Sequence, residues 1–241
     1  MLQHVLTGLC DLVYPPHCLI CKTHLLISSP GDILCQNCQE NLVLNTPPFC
    51  LKCSRHRKNI AHPKCHECTK ADLQFDFAWA ACLYVDPLKT MITQFKYNQK
   101  TYLRKPFTQF ITNFIQIYHL DIEQFDIIVP IPLFPSRLRE RGYNQSQLLA
   151  EQIARKYHIH LSLKNLVRIR NTEHQTFLTK KERWTNIQGA FRIINSAEFS
   201  GKNILIIDDL LTTGATVSEA SATLKDVGGK TVGVLTLAIT V

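Results

Sequence analysis

Two adjacent carboxylates, Asp208 and Asp209, follow four apolar residues, Ile204, Leu205, Ile206 and Ile207, and precede Thr212-Thr213-Gly214-Ala215-Thr216. The apolar run reads as a strand buried on both faces, which the two acids end as it leaves the sheet. Paired acids at a buried strand end are costly unless something binds them. Their geometry suits the vicinal hydroxyls of a ribose or a neighbouring Mg²⁺. In the segment that follows, Gly214 permits close backbone approach, and the hydroxyls of Thr212, Thr213 and Thr216 add donors. Because this turn opens a helix, its free N–H groups and positive dipole end suit an anion such as a 5′-phosphate. No Gly-Lys-Ser/Thr follows, which argues against a nucleoside-triphosphatase loop.

A second set of chemical groups is cationic. Arg137, Arg139 and Arg141 stand just after the run Pro130-Ile131-Pro132-Leu133-Phe134-Pro135, and Arg168, Arg170, Lys180, Lys181 and Arg183 follow. Guanidinium groups in this pattern suit a pyrophosphate or a nucleic-acid backbone. With Tyr143, Phe177 and Trp184 interleaved, they also suit single-stranded DNA, through phosphate contacts and base stacking. The plain alternative is a solvated basic face with core aromatics.

The third set is thiols. Cys18/Cys21, Cys35/Cys38, Cys50/Cys53 and Cys65/Cys68 form four CxxC pairs, an approximate internal repeat. Four thiolates per site suit a closed, structural Zn²⁺, and the spacing leaves open one ion or two and which pairs share a metal. His17, His24, His56, His62 and His66 lie nearby and could replace a thiolate, though an exposed or supporting place fits each better. Cys10 and Cys82 fall outside the repeat and read as buried apolar residues. So small a cysteine-rich module buries too little apolar area to fold without its metal.

The elements that must hold these groups follow from periodicity. Residues 1–72 are rich in Cys, His and Pro, whereas residues 73–241 alternate apolar strands with amphipathic helices. Strands are expected at Phe75–Tyr84, Phe125–Pro130, Leu166–Ile169, Asn203–Ile207 and Thr231–Ala238. Helices are expected after Pro87, from about Leu103 to Tyr118, through Leu148–Tyr157 behind an Asn144 cap, and from about Thr216 to Val227. The run Arg170–Arg183 reads as a basic loop. This order predicts an α/β fold with a parallel sheet and ligands beyond the carboxyl ends of its strands.

The totals agree with one principal core: 241 residues, 45% hydrophobic, and a formal net charge of +8. Counted by segment, that charge is +3 for residues 1–70, −1 for 71–136, +7 for 137–183 and −1 for 184–241. The longest uncharged run, Pro106–Leu120, carries polar residues and falls short of the roughly 20 needed to span a bilayer, so no membrane insertion is expected. The first residues lack a basic region and a small-residue cleavage site, and with the CxxC pattern this predicts a cytoplasmic protein.

The segment ILIIDDLLTTGAT is similar to the 5-phosphoribosyl-1-pyrophosphate (PRPP) signature of type I phosphoribosyltransferases. Together with Phe95-Lys96-Tyr97, Val129-Pro130-Ile131-Pro132-Leu133, the run Arg137 to Gln145 (RLRERGYNQ) and Asn186 to Phe191 (NIQGAF), it resembles the ComF family of competence proteins, which includes GntX-type proteins. The resemblance covers nearly the whole chain. It implies a double zinc ribbon at residues 1–72 and a type I phosphoribosyltransferase-like domain at 73–241. It further implies that Asp208 and Asp209 hold the ribose hydroxyls of PRPP, that Thr212, Thr213, Gly214, Ala215 and Thr216 hold its 5′-phosphate, and that Ile131, Pro132 and the arginines face pyrophosphate, with Mg²⁺ accompanying PRPP. The stretch through Thr172, His174, Gln175 and Thr176 corresponds to a mobile loop closing over the substrate. The implied context is DNA uptake in natural transformation, with single-stranded DNA and DNA-uptake or recombination proteins as partners. A phosphoribosyltransferase for an unrelated base or amine, and a PRPP-sensing regulator, fit the same residues. No residue is assigned to catalysis.

Overall fold

The computed structural model describes residues 17–25, 33–57, 62–172 and 179–241. Its centre is a five-stranded, all-parallel sheet of β1 (Phe77–Leu83), β2 (Ile127–Pro130), β3 (His160–Leu161), β6 (Asn203–Leu211) and β7 (Thr231–Ile239). The strand order is β1-β7-β6-β2-β3. A separate antiparallel pair is formed by β4 (Leu166–Arg168) and β5 (Phe191–Ile193).

Alternation along β6 explains the layers. Leu205 and Ile207 enter one core with α3 (Leu88–Tyr97), α4 (Arg104–Ile117) and α6 (Gln145–Tyr157). Ile204 and Ile206 enter the other with α8 (Ala215–Asp226). A strand segment buried on both faces must be apolar, as Ile204 to Ile207 are. The helices after β2 and β6 thus lie on opposite faces, so the loops leaving these neighbouring strands diverge and open a crevice at their carboxyl ends.

The strand expected at Leu166–Ile169 pairs antiparallel outside the main sheet, and three further elements differ from expectation. First, β6 does not end at Ile207: it stays paired with β7 as far as Leu211↔Ile239 and loses only β2, whose register stops at Pro130↔Ile207. Two residues past that point Pro132, which has no N–H, ends the chance of a ladder on that side. Second, Pro135 opens a helix, α5 (Pro135–Arg141), which carries all three arginines and ends at Gly142 with φ 81°. Proline at the first turn and glycine at the carboxyl end are the sequence marks of such a helix. Third, the expected loop Arg170–Arg183 turns helical at α7 (Lys180–Ile187), whose cap Thr179 exchanges hydrogen bonds with Glu182 in a capping box. Cys10 and residues 173–178 of that stretch, with His174, Gln175, Thr176 and Phe177, lie outside the described residues, as do the side chains of Lys180 and Lys181.

The cysteine-rich region carries two short helices, α1 (Gln36–Glu40) and α2 (His66–Lys70), one in each repeat. It is joined to the domain rather than tethered. The N–H of Asn45 donates to Ala81 O at 2.9 Å, Leu83 N to Val43 O at 2.9 Å and Ala78 N to Lys52 O at 2.8 Å. These bonds cover β1, which would otherwise be an open edge. The buried Asn45 amide, donating to Ser54 O at 2.7 Å and Ala80 O at 3.0 Å, fastens the repeat to the same strand. Among the described residues no helix is long and apolar enough to cross a membrane.

Candidate functional site

The crevice between β2 and β6 is a cleft of about 540 Å³, and Asp208 and Asp209 line it. Neither carboxylate is left to water alone. Asp208 Oδ1 accepts from Ser146 Oγ at 2.8 Å and from the N–H of Asp209 at 2.9 Å. Asp209 Oδ2 lies 2.6 Å from the Lys96 ammonium. Burial, and then the charge of Asp209, push the Asp208 carboxyl up to about 7, against the pull of Lys96 and Ser146. Burial works against the Lys96 charge, but Asp209 outweighs it and holds the lysine above its usual value.

The wall leaving β2 is built around Asn144. Its side-chain oxygen caps α6 by accepting from Ser146 N at 3.1 Å, and its amide donates to Ile131 O at 2.9 Å. One residue thus fixes the helix start that presents Ser146 and the loop that carries Ile131. Ile131 lines the cleft, while Pro132 does not. On α5 the helical period separates the arginines: Arg137 and Arg141, four apart, both line the cleft, whereas Arg139 is exposed and outside it. Arg137 donates to Thr172 O, and Arg141 lies over the Tyr97 ring at 5.1 Å. Burial, then Arg141, lowers the Arg137 pKa below its ordinary value.

Two donors complete the cleft. Arg168, only 8% exposed, is stacked 5.7 Å from Phe191 and donates one Nη to Thr172 Oγ1, while its Nε has no acceptor among the described residues. Gln145, 2% exposed, has its amide nitrogen in the same state. Burial, then Arg137, brings the Arg168 pKa down to about 10, so it stays charged at neutral pH. A buried donor without an acceptor costs roughly 1–3 kcal/mol, more when charged.

The opposite wall is Thr212, Gly214, Ala215 and Thr216. Gly214 caps α8 with φ 82°, and a Cβ there would stand 3.4 Å from Leu73 and 3.5 Å from Phe75. Thr213 faces away, into a smaller cavity beside the second cysteine cluster, and its Oγ1 accepts from Ala215 N at 3.3 Å.

Sequence reasoning gave no role to Lys96, Ser146, Gln145 or Tyr97. Lys96 and Tyr97 sit at the end of α3, more than a hundred residues before the acids they adjoin, and no local pattern links them. Tyr143 turns inward, its hydroxyl bonded to Phe95 O and its ring 5.9 Å from the Phe95 ring, and Trp184 packs against the core. The exposed aromatics beside cations are instead Tyr97 and Tyr102, the latter with Lys100 Nζ 5.9 Å from its ring.

The cysteines separate into two clusters, Cys18/Cys21/Cys35/Cys38 and Cys50/Cys53/Cys65/Cys68, within each of which the sulfurs lie within 4.8 Å of one another. Consecutive pairs therefore share a site, and each cluster fits a structural Zn²⁺ with no position left for a substrate. All five neighbouring histidines are exposed. Cys82 is buried in β1, where burial raises its thiol to about 12.

Comparison with known proteins gives a consistent picture. Residues 9–69 match the double zinc ribbon domain, and residues 144–239 match the phosphoribosyl transferase domain. "Competence protein ComFC" of Bacillus subtilis is 30% identical over 227 residues, covering 88% of this chain and 89% of its own length. "Competence protein F" of Haemophilus influenzae is 29% identical over 227 residues, covering 92% of this chain and 96% of its own. "DNA utilization protein YhgH" of Escherichia coli K12 is 27% identical over 226 residues, covering 87% and 97%.

Proposed function

The chain belongs to the ComF-type family of competence proteins, and from that premise we propose that its cleft binds PRPP with Mg²⁺ while the basic surface beside it holds single-stranded DNA. The observation that carries the first half is the polarity of the cleft. Two acids form one part of it, and the cations Arg137, Arg141 and Arg168, with Gln145, form another. A sugar that offers hydroxyls to the acids and phosphoryl oxygens to the donors satisfies both. On this reading Asp208 and Asp209 accept from the ribose hydroxyls. The N–H groups at the start of α8 and the hydroxyls of Thr212 and Thr216 hold the 5′-phosphate. Arg137, Arg141 and Arg168 face the diphosphate, where bound Mg²⁺ would supply further neutralisation of charge. Lys96 neutralises Asp209.

Single-stranded DNA is supported by the relatives named for competence and DNA utilization and by two exposed tyrosines, of which Tyr97 lines the cleft. Tyr97 and Tyr102, 58% and 44% exposed, stand beside Arg141 and Lys100. Exposed aromatic faces next to cations serve base stacking and backbone contact together. The compartment that fits this role is the cytoplasm, where incoming DNA arrives single-stranded and thiolates stay reduced to hold zinc.

The test is calorimetric titration of PRPP with Mg²⁺, alone and with a single-stranded oligonucleotide present. The parent chain is expected to bind PRPP, and Asp208→Ala with Asp209→Ala to lose that binding while keeping its zinc. Unchanged affinity in the double variant would overturn the assignment of the cleft.

A further inference from the structure

The two cysteine repeats can be compared position by position. Cys18, Cys21, Lys22, Thr23 and His24 correspond to Cys50, Cys53, Ser54, Arg55 and His56. In each copy the first cysteine N–H bonds the carbonyl of the fourth of these residues, Cys18 N to Thr23 O and Cys50 N to Arg55 O, both at 2.8 Å. In each, the residue after the second cysteine has a left-handed backbone, Lys22 at φ 63° and Ser54 at φ 67°. Each copy also has one antiparallel bridge, His17↔His24 and Phe49↔His56. The same knuckle is therefore built with threonine in one copy and arginine in the other, so the knuckle itself does not require Arg55.

The Arg55 side chain leaves its own module. Its Nη2 donates to the carbonyl of Thr212, and its Nε donates to Thr240 O at 3.3 Å. Thr212 is the first residue of the loop that ends β6, and Thr240 follows β7; the two strand ends are joined by Thr240 N donating to Leu211 O at 3.0 Å. One guanidinium thus clamps the ends of two adjacent parallel strands at the edge of the cleft. Further contacts run the same way. Leu73 and Phe75 lie against Gly214, and Gln74 N donates to Ser218 Oγ in the first turn of α8 at 2.9 Å. Cys53, Arg55 and Cys68 share a cavity of about 140 Å³ with Thr212, Thr213 and Gly214. The first cluster makes no such approach: Cys18 and Cys38 belong to the core on the other face of the sheet, whereas Cys50, Cys53 and Cys68 belong to the core containing Ala215 and Val217.

We propose that Arg55 is a positioning residue that couples the second cysteine cluster to the loop Thr212–Thr216, so that metal held by Cys50, Cys53, Cys65 and Cys68 sets the affinity of the cleft for phosphorylated ribose. The inference rests on the reading of that loop as a phosphate cradle. A strand-end carbonyl with no donor is free to turn into the loop, where its negative end opposes an anion. The guanidinium occupies the Thr212 carbonyl and keeps its negative end away from the phosphate. Because a small cysteine knuckle holds its fold through its metal, loss of the second metal releases both Arg55 and the Leu73–Phe75 buttress. Loss of the first metal leaves the clamp in place.

The experiment compares full-length, zinc-loaded parent, Arg55→Thr, which installs the residue of the first repeat, and Arg55→Lys. Zinc content, thermal midpoint, amide exchange over residues 212–216 and PRPP affinity are measured on each. Arg55→Thr is expected to keep both metals and its midpoint within a few degrees, yet to exchange faster at 212–216. Its PRPP affinity is expected to fall about tenfold, the effect of one charge-assisted hydrogen bond. Arg55→Lys, which keeps a cation able to reach one carbonyl, is expected to recover part of the affinity. Unchanged loop exchange and affinity in Arg55→Thr would overturn the coupling, and so would loss of zinc, which would make the residue structural. Failure of the parent to bind PRPP would instead remove the phosphate reading, and loop exchange would still decide whether Arg55 holds the loop.

Discussion

Asp208 keeps its proton to about pH 7 because it is buried beside a second acid, while in an unfolded chain an aspartate loses it near pH 4. Between these values the folded state binds more protons, so this group lowers the unfolding free energy as pH rises from about 4 to 7 and leaves it level above. Asp208→Asn removes that decline. The variant is expected to match the parent near pH 4 and to exceed it at pH 8 by at most about 4 kcal/mol, at 1.36 kcal/mol per unit of pKa. Denaturant unfolding of both chains across this range checks it, since the difference between them cancels effects shared through zinc. A parent no less stable than the variant at pH 8 would count against the shift. This cost is what a binding site built for hydroxyl donors and cations should show, because such groups favour the ionised carboxylate.

At the scale of the element, α5 decides which arginines act together. Side chains four apart share a helix face, and those two apart point away from each other. Arg137→Ala and Arg141→Ala are each expected to weaken PRPP binding about tenfold or more, as the loss of a charged hydrogen-bond donor does. Arg139→Ala is expected to change it by less than about twofold, in line with an exposed charge screened by solvent. Equal losses at all three positions would mean that the run acts as an extended strand or as a general field of charge rather than as this helix. The sequence RLRER alone supports either arrangement, but Pro135 before it and Gly142 after it carry the signal for the helix. Similarly, Thr179 and Glu182 carried the start of α7 inside a stretch whose basic composition suggests a loop.

For the whole molecule, the ribbon module and the sheet stand or fall together. Val43 and Asn45, ahead of the second knuckle's first cysteine pair, and Lys52 within it cover the β1 edge, and both cores contain cysteine ligands from the module. Chelation of zinc from the full chain is expected to release two ions and lower the thermal midpoint. With structural sites contributing on the order of 10 kcal/mol each in isolated zinc peptides, β1 is then expected to be exposed and the protein to aggregate. Elemental analysis and light scattering read these outcomes. A chain that stays free of aggregates and binds PRPP unchanged after losing both ions would show that the sheet needs no cover from the ribbons.

Much of this protein is written locally. The buried strand before Asp208, the phosphate-loop composition of Thr212 to Thr216, the Asn144 cap and the four CxxC pairs each depend on residues close in sequence, whose periodicity, turn chemistry or ligand spacing survives without a fold. What the tertiary structure alone decided is which distant groups meet. Lys96 reaches Asp209 and Ser146 reaches Asp208 because α3 and α6 share one face of the sheet. Among the described residues Arg168 Nε and Gln145 Nε2 lack acceptors because packing buries both atoms. Arg55 crosses from a zinc knuckle to the end of β6 because the module lies along the β1 edge. These meetings depend on strand order, set by packing over the whole chain, and the sequence distance between the partners carries no trace of it.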